Sequence, residues 1–192
     1  MPPRFKFTKE EIINAALNVT RKEGMSGLTA RALAAELGCS VKPIFGLFKN
    51  MQEVQQEVIK SANILYQSYL KEDMEKGTYP QYKASGMAYI RFAKNERELF
   101  KLLFMRDRSR EATEENMEEL TPILQIIQKN TGMSKKEAYT FHIEMWIFVH
   151  GMATMIATNY LDLDETYISK VLTDAYEGIK SRFKKDALNK EA

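Results

Sequence analysis

Residues that usually carry chemistry are scarce in this sequence. One cysteine, Cys39, cannot form an internal disulfide, which fits a reducing compartment. It lies in a short turn and is expected to be a small buried hydrophobe. The only histidines, His142 and His150, have neither the i, i+4 spacing nor the H-E-x-x-H pattern of a zinc protease. There is no C-x-x-C pair, no glycine-rich phosphate loop and no G-x-S-x-G elbow. These absences leave metal, nucleotide and hydrolase chemistry without a motif, so the expectation is a non-enzyme with no cofactor and no metal site. No apolar run approaches the ~18 residues of a spanning helix. The longest candidate, Met145 to Ile156, is interrupted by His150 and Gly151. The opening MPPRFKFTKEE has charge but no apolar stretch behind it, so no signal peptide is evident. A cytoplasmic protein without a membrane partner is expected. Strand patterns, internal repeats and low-complexity tracts are also lacking.

What is present suits a folded helical chain. Hydrophobic residues make up 44% of the sequence and mean hydropathy is −0.40. Over 192 residues this permits one sizeable core, or a small domain beside a larger one. Charge is unevenly placed. Residues 1–50 hold eight Lys/Arg against four Asp/Glu, net +4, and the remainder holds 20 against 22, net −2. A basic head on a slightly acidic body suits phosphate binding at one end.

Within that head, Leu28 to Phe48 (LTARALAAELGCSVKPIFGLF) predicts two short helices around a tight turn. Thr29 can cap the first helix by accepting from Arg31 or Ala32. Leu33 and Leu37 share one face, and Gly38 tolerates the left-handed backbone that ends a helix. Ser40 is the capping candidate for the second helix, with Val41, Lys42 and Pro43 in its first turn. Ile44, Phe45 and Phe48 are its apolar anchors. An earlier helix, Thr8 to Gly24, opens on the capping box Thr8–Glu11 and carries the stripe Ile12, Ile13, Ala16, Leu17 and Val19. This is the layout of a helix-turn-helix, whose second helix can lie in the major groove.

The run from Ile12 through Gly24, Leu28-Thr29, Arg31, Ala34, Gly38, Ser40 and Ile44-Phe45 to Phe48 resembles the DNA-binding domain of the TetR family of transcriptional regulators. Trp146-Ile-Phe-Val-His150-Gly151 is similar to a W-x-x-x-H-G stretch in the penultimate helix of one subgroup. Three positions depart from the common pattern. Phe45 stands in place of a tyrosine whose hydroxyl usually touches phosphate. Leu47 stands where a histidine often precedes Phe48, and Val41-Lys42-Pro43 replaces Lys-Gly-Thr. The resemblance implies an all-α fold of about nine helices and a homodimer. It also implies repression of a double-stranded DNA operator, released by a small-molecule effector. On this reading Val41, Lys42 and Pro43 face base edges, with Lys42 donating to a guanine. Thr29, Arg31, Ser40 and Lys49 meet phosphates, with Phe45 packed nearby, and Arg4 and Lys6 form a candidate basic arm. A DNA-binding dimer of nucleoid type, without ligand response, is the alternative.

The expected domains are 1–50, which binds DNA, and 51–192, a helical ligand-binding and dimerisation domain. Helices are expected over Met51–Gly77, Gln81–Lys94, Glu96–Met105 and Ala112–Asn130, with a possible bend at Pro122. Two more run from Ser134, boxed by Glu137, to about Tyr160, and from Asp164 to about Asp186. The first of these has Val54, Val58, Ala62, Leu65 and Tyr69 on one face. Tyr69, Tyr89, Phe92, Phe104, Met117, His142, Met145, Trp146 and Val149 form a pool of candidate ligand contacts for a largely apolar effector. His142 and Trp146 lead it because each joins a polar handle to apolar surface. Candidate dimerisation stripes are His150, Thr154, Ala157 and Leu161, then Ile168, Leu172, Ala175 and Ile179.

Overall fold

The computed structural model describes residues 7–107 and 117–191. Among the described residues there are nine helices and no strand: α1 (Lys9–Gly27), α2 (Ala30–Glu36), α3 (Lys42–Leu47), α4 (Met51–Lys76), α5 (Gln81–Asn95), α6 (Arg97–Phe104), α7 (Met117–Thr131), α8 (Lys135–Ala157) and α9 (Glu165–Glu191). The all-α expectation holds. Arg4, Lys6, the expected helical residues 112–116 and the Met117 side chain lie outside what is described.

Side-chain caps set most helix starts. Thr8 Oγ1 accepts from the Glu11 N–H at 3.1 Å, and Glu11 Oε2 accepts from the Thr8 N–H at 2.7 Å. Ser134 and Glu137 form the same reciprocal box at the start of α8. Thr29 Oγ1 accepts from the Ala32 N–H at 3.1 Å, and Asp164 Oδ1 accepts from the Tyr167 N–H at 2.8 Å. α1 kinks at Gly24, where φ is 71° and ψ is 177°. That region is almost closed to residues with a Cβ, so the expected end of the first helical run falls where glycine is required.

The chain gathers into two compact units. The first comprises the residues up to Ser68 together with Asn95–Arg106. Here α1 packs against α2 and α6. The Arg21 guanidinium grips Glu96 with two bonds of 2.8 and 3.0 Å, tying α1 to the start of α6. Ile12, Ala16, Leu28, Leu33, Ile44, Phe48, Val54, Val58, Ala62, Leu99 and Phe100 are all buried.

The second unit comprises Tyr69–Lys94 and the residues from Asp107 onward. α8 packs against α7 and α9. Leu124, Ile127, Met133, Ala138, Phe141 and Met145 form a buried cluster, with Tyr82, Tyr176, Ile179 and Phe183 packed on it. Arg182 of α9 holds Glu144 of α8 at 2.7 and 2.8 Å. No described helix is long and apolar enough to cross a membrane.

Candidate nucleic-acid interface

The turn before α3 is built by backbone geometry. Gly38 has φ of 59°, its N–H donates to the Ala35 carbonyl at 3.0 Å, and the Cys39 N–H donates to the Ala34 carbonyl at 2.9 Å. This pair of bonds is a Schellman closure of α2 with glycine at the left-handed position. Cys39 itself is half-buried, which corrects the expectation of a buried hydrophobe.

Ser40 does not cap α3. The helix opens on Val41, which has helical φ and ψ and makes no side-chain cap bond. Thr8, Thr29 and Ser134 each accept from the N–H three residues on. Three residues after Ser40 stands Pro43, which has no N–H to give. Ser40 is therefore left exposed, and Val41 supplies the first carbonyl, accepting from Ile44 at 3.2 Å.

Ile44 and Phe48 are buried and fix which side of α3 faces inward. Phe45, expected as a third anchor, points away from the core and is 45% exposed, and Val41 is 39% exposed. Thr29, Arg31, Lys42 and Lys49 are exposed, and Pro43 is half-buried. The DNA-binding candidates thus lie largely at the surface of the first unit. Several acidic groups of that unit are engaged by other cations. Lys9 pairs with Glu53 at 3.4 Å, and Lys22 pairs with Glu36 at 2.8 Å. Glu53 Oε2 also accepts from the Lys49 backbone N–H at 2.7 Å. That bond, more than the Lys9 ammonium, holds the Glu53 carboxyl below its ordinary value. Arg31, Lys42 and Lys49 make no ion pair among the described residues. Three exposed cations outside ion-pair distance of any described carboxylate suit a phosphate-binding face.

The candidate ligand contacts are divided. Phe104 belongs to the first unit, with its ring 5.1 Å from Tyr66 and 5.2 Å from Phe100. In the second unit Tyr69 meets Phe92 edge-on at 5.3 Å, and the Arg91 guanidinium lies 4.3 Å over Tyr69. Met145 and Val149 are buried. Tyr89 Oη and His150 Nδ1 share a hydrogen bond of 2.8 Å, and Tyr82 Oη and His142 Nδ1 share one of 3.2 Å. Burial pushes the Tyr82 phenol up and the His150 imidazole down. Tyr82 was not among the expected contacts. Its signal was available, because Tyr82 and Tyr89 on α5 repeat at nearly the same interval as His142 and His150 on α8.

Trp146 is a correction. It is 44% exposed and stacks on the His150 ring at 5.0 Å, so it is not enclosed in the second unit. Its neighbour Met145 takes the inward direction. The dimerisation stripes need correction too. Ala157, Ile168 and Leu172 are buried within their own chain, and Ala175 and Ile179 pack on its core cluster. His150, Thr154 and Leu161 remain half-buried. The exposed apolar side chains of α8 are instead Trp146, Ile147, Phe148 and Met155, with Tyr167 exposed on α9.

The described residues are thus all-helical apart from turns, with the helix-turn-helix of α2 and α3 inside the first unit. Residues 82–174 match the family "Tetracyclin repressor-like, C-terminal domain". Three solved structures resemble the whole chain. A TetR-like transcriptional regulator from Rhodococcus sp. RHA1 has 15% identity and a TM-score of 0.65, over 95% of this chain and 97% of that one. A protein of unknown function from the same organism has 21% identity and a TM-score of 0.67, over 94% and 98%. A TetR family protein from Vibrio parahaemolyticus has 13% identity and a TM-score of 0.59, over 88% and 97%. No curated protein matches the sequence. Residues 82–174 are thus similar to a tetracycline-repressor-like C-terminal domain, and the chain shares the all-helical fold of these solved structures.

Proposed function

We propose that this protein is a homodimeric, DNA-binding transcriptional regulator, a repressor released from its operator by a small, largely apolar ligand. The observation that carries the DNA-binding part is the exposed face of α3. Ile44 and Phe48 bury one side, and the other presents Val41, Lys42 and Phe45 beside the unpaired cations Arg31 and Lys49. Val41, Lys42 and Pro43 would face base edges, and Thr29, Arg31, Ser40 and Lys49 would meet phosphates. Ligand response is supported by the tetracycline-repressor-like body and by the two Tyr–His pairs between α5 and α8. Such paired polar groups among aromatics are the usual orienting contacts of a small-molecule site. The effector must bind the form that releases DNA more tightly than the form that holds it. About 1.4 kcal/mol of that preference gives a tenfold release.

Two substitutions test the DNA-binding part. Lys42→Ala should weaken binding to specific duplex far more than to bulk DNA, and an equal loss on both would make Lys42 a phosphate contact. Lys49→Ala should reduce the slope of log affinity against log salt by about 1, and an unchanged slope would remove Lys49 from the phosphate set. A shift in melting temperature on addition of apolar compounds would test the effector part.

A further inference from the structure

We infer that α3 reads thymine through its 5-methyl group, with Val41 and Phe45 as the residues that choose it. This rests on the DNA-binding reading above and adds the kind of base that the helix prefers.

Hydrogen-bonding capacity on α3 is nearly absent. Its sequence, KPIFGL, holds one polar side chain, Lys42. Recognition helices that discriminate by hydrogen bonds use Arg, Lys, Asn or Gln, and α3 has only Lys42 of these. It offers apolar surface in their place. Val41 is 39% exposed and Phe45 is 45% exposed, although both stand beside the fully buried Ile44. They are four residues apart and so share one face of the helix. A scattered exposed hydrophobe needs no explanation, but these two flank the exposed Lys42 in a unit where Arg31 and Lys49 are also unpaired. The exposed side chains of this helix are therefore apolar apart from Lys42, and the same unit exposes the cations Arg31 and Lys49.

That combination selects the occupant. An apolar protein or lipid surface would satisfy Val41 and Phe45 but leave three cations without anions. A duplex satisfies both, with phosphates for the cations and base edges for the apolar side chains. In the major groove the one apolar group of the four ordinary bases is the thymine methyl. A tyrosine at position 45 could send a hydroxyl to phosphate, whereas phenylalanine has only ring surface to offer. Four residues of helix advance about 6 Å, against a rise of about 3.4 Å per base pair. The two side chains would then meet methyls about two base steps apart.

The test begins with a duplex enriched from a random pool by the full-length chain. Each thymine of that duplex is replaced in turn by uracil, which removes the methyl and nothing else. Affinities are measured for the wild-type chain, Val41→Ala and Phe45→Ala, with circular dichroism as the check on folding. Uracil at one or two positions of each half-site should weaken wild-type binding by about fourfold per methyl. The loss at one position should vanish in Val41→Ala, and at the other in Phe45→Ala. Wild-type binding indifferent to every uracil would overturn the inference and leave DNA binding intact. A loss that persists unchanged in both variants would remove Val41 and Phe45 as its source. Failure to enrich any duplex would overturn the DNA-binding reading and this inference together.

Discussion

Pro43 shows how one residue redirects the local design of the head. Serine ahead of a helix ordinarily caps it, and Ser40 carried that expectation until the proline removed the N–H it would have bound. Thr29, eleven residues earlier, keeps its acceptor role because the Ala32 N–H donates to it at 3.1 Å. The two hydroxyls should therefore differ in worth. Thr29→Ala should cost about 1 kcal/mol of stability, and Ser40→Ala should stay within about 0.5 kcal/mol, as exposed substitutions without partners do. Urea denaturation of the two variants measures this, and equal losses would mean that Ser40 holds a bond its geometry denies. The same scale explains what could be read beforehand. Capping boxes at Thr8 and Ser134 and the left-handed Gly38 were legible because each depends on neighbours three or four residues away. The outward turn of Phe45 was not, since a hydrophobe beside Ile44 reads as core until the helix phase is known.

At the scale of elements, α8 was the hardest to read. From Met145 to Ala157 nearly every position is apolar or small, so the sequence offers no contrast between an inner and an outer face. The structure resolves this by turning Met145, Val149, Met152, Ala153 and Ile156 inward and leaving Trp146 and Ile147 outside. Helices with sharper contrast, such as α4 with Val54, Val58 and Ala62 buried, could be phased from sequence alone. The Arg21–Glu96 pair that ties α1 to the start of α6 joins residues 75 apart in sequence, which no local pattern reveals. The α5–α8 pairing carries a prediction of its own. Burial holds the His150 imidazole below its ordinary value of 6.5, so the unfolded chain binds this proton more readily than the folded one. Stability present above pH 6.5 is therefore lost as pH falls through and below that value. Melting temperatures at about pH 7.5 and about pH 5.5 should differ more for the wild-type chain than for His150→Gln. An identical pH dependence in the two proteins would show that protonation of His150 is not coupled to folding.

For the whole molecule, the outer face of α8 supports the proposed homodimer better than the stripes first marked for it. Ile147 is 60% exposed, and Phe148, Met155 and Trp146 lie exposed on the same helix. Exposed apolar side chains of this kind are what one subunit buries against another. Ile147→Lys should shift the protein from dimer to monomer in sedimentation at micromolar concentration. An unchanged dimer would place the interface elsewhere. Under the proposed function, a dimer's paired recognition helices would read two half-sites about one helical turn apart, or a multiple of that spacing. The measurement that bears most directly on the central claim is selection of duplexes from a random pool by the intact chain, followed by sequencing of what is bound. A dimeric DNA reader should enrich an inverted repeat, with the same half-site on both strands. A bound pool no different from the input would contradict it.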